Sequence, residues 1–272
     1  MKKIVFLATY LRSGSTWLRF LLTNLLYKEV ETSREIDQFI PEIPMLEEIF
    51  KPLPTDRDLI VKTHLPLSRA LISGRPVVGA IYLVRNPFDV TVSLANFYLR
   101  GTQGIESKGE EEIEKVRQYY LDHMLDWGAP HPCYRDGVGA WTNHVASWMG
   151  NDELKVPVLL IRYEDLLKDP ESELKRICRS IELDIDADRI ERAIKLSSWE
   201  NMKRLEEHEI QHREEGIFYN KIVHQGVEKG FRFLYKGQAS ISKNVLVEEQ
   251  VERGIRTFSP LLQWLNYSPP DI

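Results

Sequence analysis

A loop near the amino terminus combines a fixed positive charge, hydroxyl groups and a glycine, and its members are Arg12, Ser13, Gly14, Ser15 and Thr16. It lies between an apolar run and a helical pattern, so its backbone N–H groups would point at an anion near the positive end of that helix. Arginine and hydroxyl groups would add further donors. The loop lacks the GxxxxGKS/T spacing of common nucleotide hydrolases. It therefore predicts either a phosphate or sulfate cradle or an ordinary strand-to-helix turn.

Lys62 and His64 are two residues apart at the end of a second apolar run, so both side chains would emerge on the same side of a strand. An imidazole titrates near neutral pH and suits the transfer of a proton. A neighbouring ammonium group suits the stabilisation of negative charge. The pair is therefore a candidate catalytic site, and a histidine with a purely structural role is the alternative.

Arg85 and Ser93 frame a third transition from an apolar run to a helical pattern. Pro87 fits the first turn of the helix, because its fixed φ suits that position and its missing N–H is not needed there. Arg85 then lies at the carboxyl end of the strand, and Ser93 lies about two turns into the helix. An ordinary helix start is the alternative to a functional role.

The apolar runs predict the elements that must position these residues. A continuous, partly β-branched run is typical of a parallel strand buried on both faces. The helical spacing of apolar residues over 16–27 comes directly after the first such run and its loop. Strands alternating with helices predict an α/β fold with a central parallel sheet of about five strands flanked by helices. The predicted strands are Ile4 to Ala8, Leu59 to Lys62, Val77 to Val84 and Val156 to Ile161.

Length and charge narrow the class of protein. A chain of 272 residues with 43% hydrophobic and 28% charged residues has the size of one large α/β domain, so we expect a single domain over 1–272. A net charge of −5 argues against a broad nucleic-acid-binding surface. Any phosphate chemistry must then depend on a few focused cations.

Cysteine usage and hydropathy indicate the compartment. Cys133 and Cys178 lie far apart without metal-ligand spacing, which disfavours a zinc site and fits a reducing environment. The apolar run after Lys3 is short and Arg12 lies soon after it, so the amino terminus does not fit a signal peptide. No stretch approaches the roughly 20 apolar residues that span a bilayer. We expect a cytoplasmic protein without a membrane partner.

The pattern is less regular in two parts of the chain. Residues 100–138 contain glycines and the acidic run Glu110 to Glu112, and we interpret them as an insertion over one sheet edge. The acidic run predicts a solvated helix face, with a mobile lid over the substrate as the functional alternative. Residues 186–209 and 245–266 predict helices, and 210–244 predict an irregular, polar segment.

Three segments together resemble one enzyme family. Thr9 to Trp17 resembles the opening loop TYPKSGTTW of the sulfotransferases that use 3′-phosphoadenosine 5′-phosphosulfate (PAPS), except that Leu11 replaces proline and Arg12 replaces lysine. Lys62 to Pro66 resembles the KTHLP segment of the family, and Arg85 to Ser93 matches its RNPxDxxxS segment. The resemblance continues in order from about residue 4 to 244, apart from 100–138.

The resemblance implies roles for these residues. The opening loop would serve the 5′-phosphosulfate through Arg12, Ser13, Gly14, Ser15, Thr16 and Trp17. His64 would be the general base that takes the acceptor's proton, and Lys62 and Arg12 would neutralise charge on the transferring and leaving oxygens. Arg85 and Ser93 would hold the 3′-phosphate, which distinguishes PAPS from ATP.

Weaker similarities concern the adenine and the carboxyl-terminal part. Tyr163 resembles a family tyrosine that neighbours the adenine, and Ser197 and Trp199 resemble a segment whose hydroxyl contacts a phosphate and whose aromatic ring contacts the base. Trp17 and Trp199 could sandwich the adenine. Of the family's RKGxxGDWK segment, only Lys236, Gly237 and the last lysine, Lys243, survive, so Arg232 is the candidate to replace the missing arginine.

The resemblance therefore implies a P-loop-like sulfotransferase fold and PAPS as co-substrate, with 3′-phosphoadenosine 5′-phosphate (PAP) as product. The acceptor would be a small molecule with a hydroxyl, amine or carbamoyl group, and the style of the motifs is that of bacterial natural-product enzymes. The scheme needs no metal, and the sequence agrees with this, since the predicted strand ends in Arg85 and not in a magnesium-binding aspartate. The one protein partner that we expect is a second copy of the chain, in a homodimer. A nucleotide kinase on the same fold and a non-catalytic PAP- or PAPS-binding protein are the alternatives.

Overall fold

The computed structural model describes residues 3–54, 57–101, 104–220, 224–235 and 237–271, and it contains a parallel five-stranded sheet. The strand order is β2-β3-β1-β4-β5, so β1 lies between β3 and β4. The strands are β1 Ile4–Thr9, β2 Glu42–Ile43, β3 Leu59–Thr63, β4 Val77–Val84 and β5 Val158–Arg162. This confirms the predicted α/β class and the predicted number of strands.

The strand boundaries agree with the apolar runs to within one residue, apart from two larger differences. The two-residue β2 was not predicted, because no apolar run marks it; it pairs with β3 at Lys62 and Thr63. The last strand begins at Val158 and not at Val156, since Pro157 has no N–H to contribute to the sheet. The carbonyl of Pro157 nevertheless accepts a hydrogen bond from the N–H of Ala80 at 2.8 Å.

The α-helices are numbered in chain order as α1 Ser15–Leu26, α2 Glu35–Phe39, α3 Arg69–Ile72, α4 Pro87–Gly101, α5 Glu110–Trp127, α6 His131–Arg135, α7 Trp141–Met149, α8 Tyr163–Lys168, α9 Pro170–Ser180, α10 Ala187–Leu196, α11 Trp199–His212, α12 His224–Glu228 and α13 Glu248–Trp264. They belong to two compact units. The first unit comprises residues 1–30, 35–85 and 131–197, and the second comprises 31–34, 86–130 and 198–272.

The first unit contains the sheet and a continuous apolar core. Helix α1 contributes a leucine stripe at the helical repeat, Leu18, Leu21, Leu22 and Leu25, all of them buried. This stripe belongs to one hydrophobic cluster with Leu7 of β1, Ile81 of β4 and Ile190 of α10. Its burial fixes the orientation of α1, and thereby of the loop that precedes it.

In the second unit, buried carboxylates on helices accept hydrogen bonds from backbone N–H groups of irregular segments. Glu206 accepts hydrogen bonds from the N–H groups of Phe233 and Leu234 at 2.5 and 3.1 Å. Glu209 accepts from the N–H groups of Ser33 and Phe218 at 2.8 and 3.3 Å. Backbone donors that no strand or helix satisfies need such partners when they are buried. Helix α11 therefore supplies the acceptors that a sheet would otherwise provide.

Asp89 of α4 has the same role for another part of this segment. One of its carboxylate oxygens accepts from the N–H of Ser240 at 2.7 Å, and the other accepts from the N–H and hydroxyl of Ser242 at 3.0 and 2.7 Å. The carboxylate is 1% exposed. The chain around 240–242 is thus fixed to the first turn of α4.

The predicted helices differ from the structure in three places. The helix predicted over 186–209 is interrupted at Ser197, and Ser198 caps α11 by accepting a hydrogen bond from the N–H of Asn201 at 3.3 Å. The segment predicted as irregular from 210 instead begins with the last turn of α11 and contains the short α12. Residues 100–138 include α5 and α6, and the acidic run is an exposed first turn of α5. The interpretation of 100–138 as an insertion over one sheet edge, with a substrate lid as its functional alternative, stays a prediction, as does that of one single domain.

In the part of the chain that the structure describes, no helix has both the length and the apolar character required to cross a bilayer.

Replacing Glu206 with alanine should lower the free energy of unfolding by about 2–4 kcal/mol, because two buried N–H groups would lose their acceptor and Lys203 would lose its ion pair. Urea denaturation of the variant checks this value. Glu207→Ala, on the exposed side of the same helix, is the matched control and should change stability by less than about 0.5 kcal/mol. Equal effects of the two substitutions would contradict a structural role for Glu206.

Candidate active site

Three candidate segments meet at one edge of the sheet because their strands are parallel and adjacent. The central strand β1 ends at Thr9 before the loop 10–14, β3 ends at Thr63 before His64, and β4 ends at Val84 before Arg85. Ligands of open parallel sheets bind at the carboxyl ends of strands, where the chain runs to opposite sides of a central strand. The strand β1 occupies that position here, between β3 and β4.

The loop between β1 and α1 has a conformation that presents donors. Arg12 has a φ of 62° and Gly14 a φ of 100°, both in the left-handed region that few side chains tolerate. The carbonyl of Gly14 already accepts the first bond of α1, from the N–H of Leu18 at 3.1 Å. The next N–H groups, from Ser15 onward, form the free amino end of a twelve-residue helix.

Ser13 allows a test of whether this loop fits an anion. Its side chain is fully buried, and its hydroxyl has no hydrogen-bond partner among the described residues. Buried hydroxyls normally have a partner, because an unsatisfied one costs about 1–3 kcal/mol. A phosphate or sulfate oxygen would satisfy it. The loop therefore fits the anionic ligand predicted from its sequence.

Gly14 is required by the packing beneath the loop. A Cβ at this position would lie 2.6 Å from the ring of Tyr163, so no side chain fits there. The ring of Trp17 meets that of Tyr163 edge to face, with centroids 6.1 Å apart. The indole N–H of Trp17 donates to the carbonyl of Ser197 at 3.0 Å. Tyr163 thus packs against the loop at Gly14, and Trp17 packs against Tyr163, so both residues have a structural role at this site.

Arg85 lies against the same loop. Its guanidinium donates to the carbonyl of Arg12 at 3.2 Å and lies over the ring of Tyr163, 4.4 Å from the centroid. The side chain is 6% exposed. The structure therefore brings the cation of the third predicted segment to the first predicted segment. A buried guanidinium beside a loop of N–H donors increases the positive potential there.

Lys62 and His64 share one carboxylate that sequence analysis did not identify. Lys62 Nζ donates to Glu42 Oε1, and His64 Nε2 lies 4.0 Å from the same oxygen. Burial raises the pKa of Glu42, but Lys62, His64 and Arg19 together outweigh it and lower that pKa to about 2. Burial lowers the pKa of Lys62, and the carboxylate of Glu42 opposes this shift. The side chains predicted to face one site therefore do so.

The tautomer of His64 is determined by its hydrogen bond. Nδ1 lies 2.8 Å from the carbonyl oxygen of Thr9, which can only accept, so Nδ1 carries the hydrogen. Nε2 then has the lone pair and is the basic nitrogen. Burial and the charge of Lys62 lower the pKa of His64 to about 3, against the opposing effect of Glu42. His64 is accordingly neutral at pH 7, as a proton acceptor must be.

Helix α7 fixes the segment that carries His64. His144 Nε2 donates to the carbonyl of His64 at 3.0 Å, and Trp148 Nε1 donates to the carbonyl of Leu65 at 3.1 Å. Ser147 Oγ accepts from the N–H of Leu67 at 3.0 Å. The other nitrogen of His144 lies 2.8 Å from the hydroxyl of Tyr82 and accepts its hydrogen. The backbone at residues 64, 65 and 67 is thus held by side chains on one face of α7.

Ser197 is fully buried, and its hydroxyl accepts a hydrogen bond from Asn24 at 2.9 Å. This contact joins the end of α10 to α1. The bond from Asn24 and the bond from Trp17 to the carbonyl of Ser197 are sufficient to explain this residue structurally. Its predicted contact with a phosphate stays a prediction.

The remaining predicted residues lie in the second unit. Ser93 is one turn beyond Asp89 on the same face of α4 and is 3% exposed. Trp199 begins α11, and its indole packs against Gly237, whose φ of 61° and lack of a side chain permit that contact. Lys236 lies outside the described residues. The guanidinium of Arg232 donates to the carbonyls of Val227 and Phe231 at 3.3 and 3.0 Å.

Sequence reasoning missed three residues of importance at these sites, namely Glu42, His144 and Asp89. Glu42 belongs to a strand too short to give a periodic signal, and His144 lies 80 positions from the backbone that it binds. Asp89 stands within the third segment, where the acidic first turn of a helix is its only local signal. No group of three or more metal-ligating side chains occurs among the described residues.

The free energy of unfolding should fall by about 4 kcal/mol between pH 7 and pH 5. The pKa of His64 is about 3 and that of His144 about 4 in the folded protein, where burial disfavours the charged form, against about 6.5 when unfolded. The unfolded chain therefore binds more protons below pH 6.5, so stability present above that pH is lost as the pH falls, by roughly 2 kcal/mol for each histidine. Urea unfolding at both pH values measures the change.

The variant His144→Gln should show about half of this decrease. His131→Gln removes an exposed histidine and is the matched control. A decrease that is unaffected by His144→Gln would contradict the contribution assigned to burial.

Comparison with known proteins gives consistent results. The sequence model of one family, described as "Sulfotransferase domain", matches residues 2–265. The chain is 30% identical over 211 residues to mouse sulfotransferase 1B1, which covers 73% of this chain and 65% of that protein. It is 25% identical over 263 residues to rabbit amine sulfotransferase, which covers 93% and 79%. The matched part of the chain thus spans just under two thirds of the length of the mouse relative.

A solved structure shows the same fold. The crystal structure of mouse sulfotransferase SULT7A1 complexed with PAP superposes with a TM-score of 0.63 and 21% identity, covering 97% of this chain and 84% of that one. The likeness confirms the predicted P-loop-like fold of these enzymes.

Proposed function

We propose, because the chain belongs to the sulfotransferase family, that it transfers a sulfuryl group from PAPS to a small-molecule acceptor and releases PAP. The observation that carries the proposal is the loop 10–14, where a buried hydroxyl without a partner among the described residues stands at the amino end of α1 beside the buried guanidinium of Arg85. When bound, PAPS supplies the activated sulfuryl group and a stable leaving group.

The nucleotide would be held at both of its phosphate ends. Arg12 and Ser13 to Trp17 are assigned to the 5′-phosphosulfate, with N–H and hydroxyl donors and one guanidinium. Arg85 is assigned to the 3′-phosphate, together with Ser93. The further residues assigned to the nucleotide, each as a prediction from the resemblance, are Tyr163, Ser197, Trp199, Lys236 and Gly237.

The catalytic assignment depends on the tautomer of His64. Nε2 has the lone pair and takes the proton of the acceptor's nucleophile, while the Thr9 carbonyl keeps the ring in place through Nδ1. The bonds from α7 to the carbonyls of residues 64 and 65 fix the backbone that carries the ring. Lys62 and Arg12 are the cations that would neutralise charge developing on the transferred group.

The acceptor is proposed to be a small molecule with a hydroxyl, amine or carbamoyl group. The names of the relatives support a broad range, since one of them is an amine sulfotransferase. A bacterial natural product remains our interpretation of the motif style. Screening phenols, alcohols and amines with radiolabelled PAPS tests the reaction and identifies the acceptor class.

Two alternatives make different predictions. A nucleotide kinase on the same fold would turn over ATP with Mg²⁺, whereas the arginine at the end of β4 supports a nucleotide with a 3′-phosphate. A non-catalytic binding protein would bind PAP tightly and transfer no label to any acceptor. Incubation with ATP and Mg²⁺ and the screen with PAPS separate these cases.

The proposal includes a cytoplasmic location and a homodimer. Both Cys133 and Cys178 are free thiols and are buried, which supports a reducing compartment. The oligomeric state is testable by analytical ultracentrifugation of the purified chain.

PAP should bind at least tenfold more tightly than 5′-AMP, and Arg85→Ala should weaken the binding of PAP at least tenfold while changing that of 5′-AMP little. A charge-assisted hydrogen bond contributes about 1.5–3 kcal/mol, and only PAP has the 3′-phosphate. Calorimetry with both nucleotides measures this difference. Arg179→Ala removes an exposed arginine and is the matched control. Equal affinity for the two nucleotides would refute the role of Arg85.

His64→Ala should reduce turnover by roughly 10²–10⁴ and leave the affinity for PAP nearly unchanged, because a general base acts in the transition state and not in nucleotide binding. Steady-state transfer of radiolabel, with calorimetry of PAP binding, measures both quantities. His131→Ala is the control for an exposed histidine. Full turnover in His64→Ala would show that another group accepts the proton.

A further inference from the structure

Glu42 lies beside both side chains that we assign to the acceptor's chemistry. It belongs to the edge strand β2, which pairs with β3 at Lys62. Its side chain is 23% exposed, and those of Lys62 and His64 are 8% and 13% exposed. The side chain of Glu42 is therefore the most exposed of the three. Any molecule that reaches Nε2 of His64 comes close to Glu42.

Charges of alternating sign surround this carboxylate. Arg19 Nη1 of α1 lies 3.8 Å from Glu42 Oε2, and Arg19 also pairs with Asp37 of α2 at 2.5 Å. Lys62 of β3 binds the other oxygen, Oε1. The groups that face His64 are thus Lys62 on the preceding strand β3, Glu42 on β2 with Arg19 and Asp37 behind it, the Thr9 carbonyl at the end of β1, and His144 on α7.

These neighbours act in opposite directions on a proton at His64. Burial disfavours a positive charge on the imidazole ring, and the positive charge of Lys62 disfavours it further. Nδ1 already donates to Thr9, so an incoming proton can only be placed on Nε2. The single anion near that nitrogen among the described residues is Glu42, 4.0 Å away. At this separation, a pair of opposite charges shielded from water interacts strongly.

We propose that Glu42 is the charge partner of His64, a positioning residue that stabilises the imidazolium formed when Nε2 takes the acceptor's proton. This inference rests on the proposed function for its place in catalysis. In the step concerned, the acceptor's O–H or N–H bond breaks, its proton forms a bond with Nε2, and the bonding pair stays on the acceptor's oxygen or nitrogen. Lys62 limits the effect, because it binds the same carboxylate oxygen.

The pairing can be measured without substrate, by titrating the ¹⁵N-labelled imidazole of His64 by NMR in the full chain. The signal is assigned by its loss in His64→Gln. Lys62→Met should raise the pKa of His64 by at least about one unit, since it removes the nearest cation and leaves the carboxylate to the ring. Adding Glu42→Gln to Lys62→Met should lower it again by at least about one unit, a tenfold loss of proton affinity.

The matched control is Lys62→Met with Glu47→Gln, which removes an exposed carboxylate from the neighbouring segment. It should titrate as Lys62→Met alone does. Equal pKa values of His64 with and without Glu42 in the Lys62→Met background overturn the proposal. A ring that stays neutral in Lys62→Met down to acid unfolding also overturns it.

A second arm separates this inference from the proposed function. With radiolabelled PAPS and an acceptor from the screen, Glu42→Gln should lower kcat at least about tenfold and leave the affinity for PAP unchanged. If the titration shows coupling and no acceptor is sulfated by the wild-type protein, the proposed function fails and the charge pair stands. If wild-type turnover occurs and the titration shows no coupling, the charge pair alone fails.

Discussion

The parallel arrangement of the sheet, with β1 between β3 and β4, is the constraint on which the candidate site depends. Parallel strands begin at one edge and end at the other, so the chain segments that leave adjacent strands must meet. The apolar face of α1 then fixes the direction in which the first segment leaves the sheet. No local preference of the loop residues could bring Arg12, His64 and Arg85 together from positions so far apart in the sequence.

The charged side chains near His64 are stabilised mainly by partners of opposite charge and less by contact with water. Glu42, Lys62 and Arg19 remain largely buried because each has a partner of opposite sign. An uncompensated charge in the same place would be far less stable. The neutrality of His64 has the same origin, since burial and Lys62 both act against a proton on the ring. The arrangement leaves His64 neutral, with the lone pair of Nε2 available for a proton.

Much of the fold could be predicted from the sequence, because β1, β3 and β4 are continuous apolar runs and α1 has a regular leucine stripe. The residues Lys62, His64 and Arg85 could be singled out because each ends such a run. Glu42 and His144 could not, since their importance comes from partners on other elements and not from any local pattern. The interruption at Ser197 was missed because the residues on both sides have strong helical periodicity, and a capping serine is a weak signal beside it.

The buried carboxylates of the second unit also constrain how the chain can fold. The hydrogen bonds that Asp89 accepts from Ser240 and Glu209 accepts from Ser33 join residues 151 and 176 positions apart. Such contacts close long loops, and the entropy of closure must be offset before the contacts form. During synthesis α4 emerges while its partner segment does not yet exist, so the carboxylate of Asp89 stays hydrated until residues 240–242 have been made. The second unit can therefore be completed only after translation has passed these residues, and its assembly is expected to be a late step that comes after formation of the sheet.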